Sequence, residues 1–263
     1  MDVNLAGKRA IVLAASRGLG FACAMELARA GCDVTICSRS EEKINAAAQQ
    51  IKSETGARVN SVVCNVDDEA PIKAAVASAV AQFGGLEIAI HNAGGPPFGG
   101  FQATDDEKWF QAFKQNLMSF VWMSRAAIPE MRKAGYGRII AITAGSIKAP
   151  IPNMVLSNTM RPGVLGVAKT LARELAPDNI LVNVIAPGML YTERIDELNQ
   201  ARAVNEGRPV EEIFQAASST IPLGRMGEPR ELANLAVFFA SEAASYITGT
   251  AVQVDGGSIN TLH

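Results

Sequence analysis

The sequence predicts an α/β fold, a doubly wound parallel sheet of about seven strands with helices on both faces. Three observations carry that expectation. Short β-branched runs alternate with helical segments almost to the C-terminus. The first of these units, Ile11 to Arg29, reads as strand, glycine turn, helix. No internal repeat, low-complexity tract or linker interrupts the alternation, so residues 1–263 are expected to form one domain.

In that first unit an apolar run, Ala10–Ala15, breaks at Ser16-Arg17-Gly18-Leu19-Gly20, and a helical apolar pattern follows. Glycines let the backbone come close to a pyrophosphate, and the unpaired N–H groups at a helix start attract its charge. The turn is therefore a candidate nucleotide-phosphate site, and the fold a Rossmann-type one. Further along come a strand at Asp33–Cys37, a charged helix near Glu41–Thr55, a strand at Arg58–Cys64 and a helix at Glu69–Phe83. Leu86–His91 reads as strand, followed by a Gly-Pro-rich loop, GGPPFGG. Asp105 to Ala134 reads as one long helix, Arg138–Thr143 as strand, Met154–Ala176 as helix and Ile180–Ala186 as strand. Pro187-Gly188 breaks that strand, and a helical excursion runs from Glu193 to Ser218. Glu228–Ser241 is helix and Ala251–Val254 the last strand. Right-handed crossovers place the turns after the strands along one edge, where ligands bind.

The totals exclude several classes. A composition of 48% hydrophobic and 19% charged residues supports a substantial core and argues against disorder. A net charge of −2 gives no electrostatic reason to expect nucleic acid or an anionic membrane as partner. Cys23, Cys32, Cys37 and Cys64 lack metal-ligand spacing and read as buried thiols of a reducing compartment, so no metal site is expected. No leader-like segment and no bilayer-spanning run is seen, and a cytoplasmic location is expected.

Several segments resemble, in order and spacing, the short-chain dehydrogenase/reductase family. AASRGLG looks like its glycine loop, with Ala14 where the first glycine usually sits. His91-Asn92-Ala93-Gly94 is similar to the motif after the fourth strand, and Asn116 falls at a helix asparagine that helps hold a water relay. RIIAIT, LARELAPDNILVNVIAPG, IPLGRMGEP and YITGTAVQVDGG resemble bacterial 3-oxoacyl-acyl-carrier-protein reductases. The resemblance implies a nicotinamide cofactor lying against Ala14, Ser16, Arg17, Gly18, Leu19, Gly20, Asn92, Ala93, Gly94, Pro187 and Gly188. Asn65 and Val66 would flank its adenine, and Thr192 would meet its carboxamide. Ser38 stands where NAD-dependent members carry an acid, and Arg39 follows. With Arg17 it makes NADP(H) the expected cofactor and NAD the lesser one. Ala14 is tolerable at the turn only where no positive φ is needed.

The catalytic pattern departs from the family. Its Ser, Tyr and Lys positions fall on Ala144, Ser157 and Arg161, leaving Asn116. A serine hydroxyl is no usable acid near neutral pH, and an arginine cannot give up its proton. Arg161, four residues after Ser157 on one helix face, can still anchor ribose hydroxyls. Ser146 and Tyr191 are the candidate replacement donors, and His91 reads as a hydrogen-bonded core residue. The expected activity is NADP(H)-dependent reduction of a carbonyl substrate, 3-oxoacyl compounds among them, or oxidation of an alcohol, with a non-standard proton donor. The alternative is a catalytically silent NADP(H)-binding sensor or oligomer subunit. Residues 189–221 mix Met189, Leu190, Ile195, Leu198, Val204, Ile213 and Phe214 with charge and are the candidate substrate lid. The resemblance also implies a homotetramer or homodimer.

Overall fold

The computed structural model describes residues 3–262, with the side chains of Arg194, Leu198, Ala201, Arg202 and Asn205 outside the description. The strands are β1 (Arg9–Val12), β2 (Asp33–Ser38), β3 (Val59–Val63), β4 (Ile88–His91), β5 (Gly137–Ile142), β6 (Ile180–Pro187) and β7 (Ala251–Val254). They form one sheet in the order β3-β2-β1-β4-β5-β6-β7, with every pairing parallel. β1 lies between β2 and β4, with Ile11 opposite Thr35 on one side and Ala89 on the other. Strand order reverses there, and the C-terminal ends diverge into a crevice.

Alternation along β1 sends side chains to two cores. Ala10 and Val12 join one layer with α1 (Gly18–Arg29), α2 (Glu41–Thr55) and α9 (Pro229–Ala240). Ile11 and Leu13 join the other, beneath α3 (Glu69–Phe83), α5 (Ser119–Ala134) and α6 (Val155–Leu175). Both sheet faces are thus covered, which a parallel sheet requires. The free cysteines are all buried, and burial pushes the Cys23 thiol up to about 12 and the Cys64 thiol up to about 11.

The long helix expected over Asp105–Ala134 is interrupted. α4 (Asp106–Ala112) passes into a π-helical turn, Phe113–Met118, before α5 begins. Polar side chains take up main-chain carbonyls at the register shift. Asn116 Nδ2 donates to the Ala112 carbonyl at 3.3 Å, and Ser119 Oγ to the Gln115 carbonyl at 2.6 Å.

At the N-terminal edge of the sheet, Lys8 Nζ and the Arg138 guanidinium each lie 3.8 Å from the Tyr136 ring centroid. Two cations that close occupy opposite faces of the ring. The Tyr136 hydroxyl donates to the Ala240 carbonyl at 2.7 Å, and burial raises its pKa to about 12. Next to it Arg9 Nε donates to Glu87 at 2.9 Å.

The excursion after β6 forms α7 (Glu193–Glu206) and α8 (Val210–Ser219). α8 buries Ile213 completely. α7 is not the apolar half of an amphipathic pair: among its described side chains only Ala203 is buried, and Val204 is 82% exposed. From α7, Glu193 and Ile195 line the cleft. Among the described residues no helix is long and apolar enough to cross a membrane.

Candidate functional site

A cleft of about 500 Å³ opens at the C-terminal ends of β1, β2, β4, β5 and β6. Its floor is the glycine turn, where Ala14, Ser16, Arg17, Gly18 and Leu19 line the wall. Gly20 lies beneath them. A Cβ there would stand 2.5 Å from the Ala14 carbonyl oxygen and 2.7 Å from Asn92 Nδ2, so only glycine fits. Asn92 Nδ2 donates to that carbonyl at 3.1 Å and ties β4 to the turn. Ala14 itself sits at φ +48°, the left-handed region where a Cβ is strained. The turn therefore does need positive φ at this position, and alanine occupies it under strain rather than by avoiding it.

α1 begins at this floor without a side-chain cap and with no acid in its first turn. Its first N–H groups and the positive end of its dipole are left to an anion. At one end of the cleft lie Ser38 and Arg39, joined by Ser40 and Lys43. Ser40 caps α2, its Oγ accepting the Lys43 N–H at 3.3 Å. This gathers two cations in one place, at the capped start of α2. Lys43 was legible as a lysine at the third position after an N-cap serine, a signal the strand-end reading passed over. Val66 lines the same end, with Cys64 and Asp67, whose Oδ1 is buried with no hydrogen-bond partner among the described residues. Asn65 is not on the lining; its side-chain oxygen accepts the Asp67 N–H at 3.4 Å.

The other end is bounded by Asn92, Ala93, Gly94, Pro187, Gly188 and Thr192. Thr192 caps α7, its Oγ1 accepting the Ile195 N–H at 3.4 Å. Gln115, Ile142, Thr143, Ala144 and Arg161 close the bottom. Arg161 is only 6% exposed and donates from Nη1 to the Ile142 carbonyl at 3.1 Å. The Thr143 hydroxyl is committed to the Ile185 carbonyl at 3.1 Å.

The candidate proton donors lie elsewhere. Ser146 and Ser157 are buried and face one another, Oγ to Oγ at 3.1 Å, behind the lining. Ser146, a candidate donor in the sequence, is thus turned to its partner serine. Tyr191 is half exposed, its ring tilted against Phe214 at 5.7 Å and its N–H bonded to the Gly227 carbonyl. Tyr191, a candidate donor in the sequence, thus packs against α8 and is not on the cleft lining. Asn116 is buried in the π turn and off the lining. His91 is a core residue: its Nε2 meets Ser119 Oγ at 2.7 Å, and its ring packs edge-on to Phe120. Since Ser119 donates to Gln115, the imidazole donates from Nε2 and is neutral. Burial, reinforced by the Arg161 charge, lowers its pKa to about 3.

This arrangement has close counterparts. A family model described as Enoyl-(Acyl carrier protein) reductase matches residues 13–258. The human "Dehydrogenase/reductase SDR family member 4" is 35% identical, over 98% of this chain and 90% of its own. The 3-oxoacyl-[acyl-carrier-protein] reductase of Escherichia coli (strain K12) is 35% identical, over 97% of this chain and 98% of its own. A solved structure of L-sorbose reductase from Gluconobacter frateurii, complexed with NADPH and L-sorbose, superimposes with a TM-score of 0.97 at 32% identity, covering 100% of both chains. The glycine turn, the sheet order and these matches make one conclusion: the chain belongs to the short-chain dehydrogenase/reductase family of NAD(P)-dependent oxidoreductases.

Proposed function

We propose that the protein is an NADP(H)-dependent reductase of a carbonyl substrate, and that the reacting oxygen is served by a fixed cation rather than by a side-chain acid. The observation that carries the reading is the cleft itself. It has an uncovered helix start at its centre, Arg39 and Lys43 at one end and the buried Arg161 at the other. The residues fit a dinucleotide phosphate: Ala14 and Gly20 leave the turn low, α1 lacks a capping acid, and two cations flank the end of β2. NADPH in the L-sorbose reductase complex supports the same choice of cofactor. Asp67 Oδ1, beside Val66, suits the amino group of an adenine.

When bound, the cofactor supplies hydride. The chain's own part is electrostatic. Arg161 holds a positive charge at the bottom of the cleft, where it would meet the negative charge that develops on the carbonyl oxygen. Gln115, Thr143, Ala144 and Arg161 offer no group there that releases a proton near neutral pH, so cleft water delivers it. Without a positioned acid the rate falls by about 10²–10⁴ relative to members that have one. The 3-oxoacyl compounds of the bacterial relatives and the ketose of the sorbose enzyme are the substrates to screen first.

Titration with NADPH and NADH tests the cofactor. NADPH should bind more tightly, and Arg39→Ala with Lys43→Ala should weaken NADPH by about 10–100-fold while leaving NADH within a few-fold. Equal affinities in the wild type would overturn the assignment. Turnover then tests the chemistry. Arg161→Ala should abolish it, whereas Tyr191→Phe and Ser146→Ala should retain it within about threefold. Tight NADPH binding with no turnover on any carbonyl would favour the silent sensor instead.

A further inference from the structure

The bottom of the cleft holds one neutral hydrogen-bonding side chain that no other described residue claims. Gln115 lines it, with Ile142, Thr143, Ala144 and Arg161. Ile142 and Ala144 offer no polar side chain, and the Thr143 hydroxyl is committed to the Ile185 carbonyl. Ser146 and Ser157 face each other behind the lining. Gln115 is half-buried, and its side-chain amide makes no hydrogen bond to another described residue. An amide so placed has its donors ready for a ligand atom.

The main chain around Gln115 is held in place. Its carbonyl accepts the Ser119 hydroxyl at 2.6 Å, and Ser119 Oγ accepts the His91 Nε2–H at 2.7 Å. That relay ties the π turn to the end of β4. Burial first, and the Arg161 charge second, lower the His91 pKa, so Arg161 lies near the relay. The turn also packs on α6: a Cβ on Gly163, two residues past Arg161, would stand 3.2 Å from Leu117 Cδ2. Within the turn Asn116 is buried, and Gln115 is the residue that faces the cleft. The guanidinium also orients the amide. In the field of a fixed cation an amide dipole lies lowest with its oxygen toward the charge and its NH2 group away. Gln115 thereby presents a donor to the space that Arg161 bounds.

We propose that Gln115 is a catalytic hydrogen-bond donor: its side-chain NH2 group holds the reacting carbonyl oxygen of the substrate, and Arg161 supplies the charge. The proposal deepens the reductase reading above and rests on it. Hydride forms a C–H bond at the carbonyl carbon, and the π pair of the C=O bond moves to oxygen. The NH2 group donates to that oxygen without releasing its proton, and water delivers the proton that completes the alcohol. The hydrogen bond strengthens as charge builds on the oxygen, so its effect falls on kcat.

Two measurements test it, and the first needs no turnover. Isobutyramide, an unreactive carbonyl compound with a strong acceptor oxygen, is added to isotope-labelled protein, alone and with NADPH. The side-chain NH2 signals of Gln115, identified by their loss in Gln115→Leu, should move in both states. Gln115→Leu should bind isobutyramide about 3–10-fold more weakly and NADPH within about twofold of the wild type. Signals that stay put overturn the proposal. So do signals that answer NADPH but not isobutyramide, which would make Gln115 a contact of the cofactor ribose. Failure of the wild type to bind NADPH counts against the cofactor reading, and the response of the protein alone then judges Gln115. The second is steady-state carbonyl reduction. Gln115→Leu should lower kcat about 10–100-fold with KM within about threefold. Gln115→Glu, the same shape with an ionised acceptor in place of the donor, should fall further. A space-filling role predicts the reverse order, and that order would overturn the proposal. Absence of turnover in the wild type with NADPH bound counts against the reductase reading alone, and the first measurement then decides.

Discussion

Replacing Ala14 with glycine should stabilise the protein, against the general rule that glycine weakens a fold. Ala14 is held at φ +48° because its carbonyl must turn to meet Asn92 and because Gly20 packs beneath it. A Cβ in that region costs about 1–2 kcal/mol. Removing it forfeits about 0.4–1 kcal/mol through the freer unfolded chain. The difference favours the variant by about 0.5–1 kcal/mol, or roughly 1–4 °C in Tm for a chain of this size. Thermal unfolding followed by circular dichroism reads the shift, and urea unfolding with an unchanged m-value assigns it to stability. Ala14→Val supplies the opposite arm, losing about 2 kcal/mol or more, since a β-branched side chain tolerates positive φ least. A fall in Tm for the glycine variant would refute the strain argument and show the methyl group to be packed rather than strained.

Other outcomes follow from the same contacts. Asn92→Ala leaves the Ala14 carbonyl without its donor and should cost about 1–2 kcal/mol in urea unfolding. His91 makes stability acid-sensitive. Its folded pKa of about 3 lies below its ordinary 6.5, so the unfolded chain takes up the proton first. Its contribution is complete above pH 6.5 and falls by up to about 1.4 kcal/mol per unit as the pH drops toward 3. His91→Gln should flatten that slope, and an unaltered pH profile would contradict the neutral buried imidazole. The pH–rate profile of the reductase should show no ionisation of a side-chain acid between about pH 6 and 9; a clear break there would mean a titrating donor has been overlooked.

The alternation of strands and helices was legible because each element carries its own apolar signal, and apart from the interrupted helix over Asp105–Ala134 the strands and helices differ from expectation mainly at their ends. The end of the cleft beside β2 was legible for a similar reason. Ser38, Arg39 and the glycine turn are local in sequence, and their chemistry is readable from the residue types. Three features were not. The π turn at Phe113–Met118 changes no apolar period that a helix reading would notice; it depends on Asn116 and Ser119 bonding back to main-chain carbonyls. Ala14 looks compatible with ordinary backbone until Gly20 and Asn92 are placed against it. The partnership of Arg17 with Glu193 and Glu197 spans 176 and 180 positions, and no local pattern announces it. Likewise Ser146 and Tyr191 were plausible by position, but Ser157 and Phe214 claim them.

The cation–ring–cation stack of Lys8, Tyr136 and Arg138 has a consequence for how this chain can change over time. Arg138 and Ile142, whose carbonyl seats Arg161, are the two ends of one strand, about 13 Å apart at the rise of a β-strand. Strength sits at one end and strained, exchangeable chemistry at the other, with rigid sheet between. Substitutions at the two ends should therefore add independently, within about 0.5 kcal/mol. Such a layout lets the reactive rim be rewritten while the opposite rim keeps the scaffold standing.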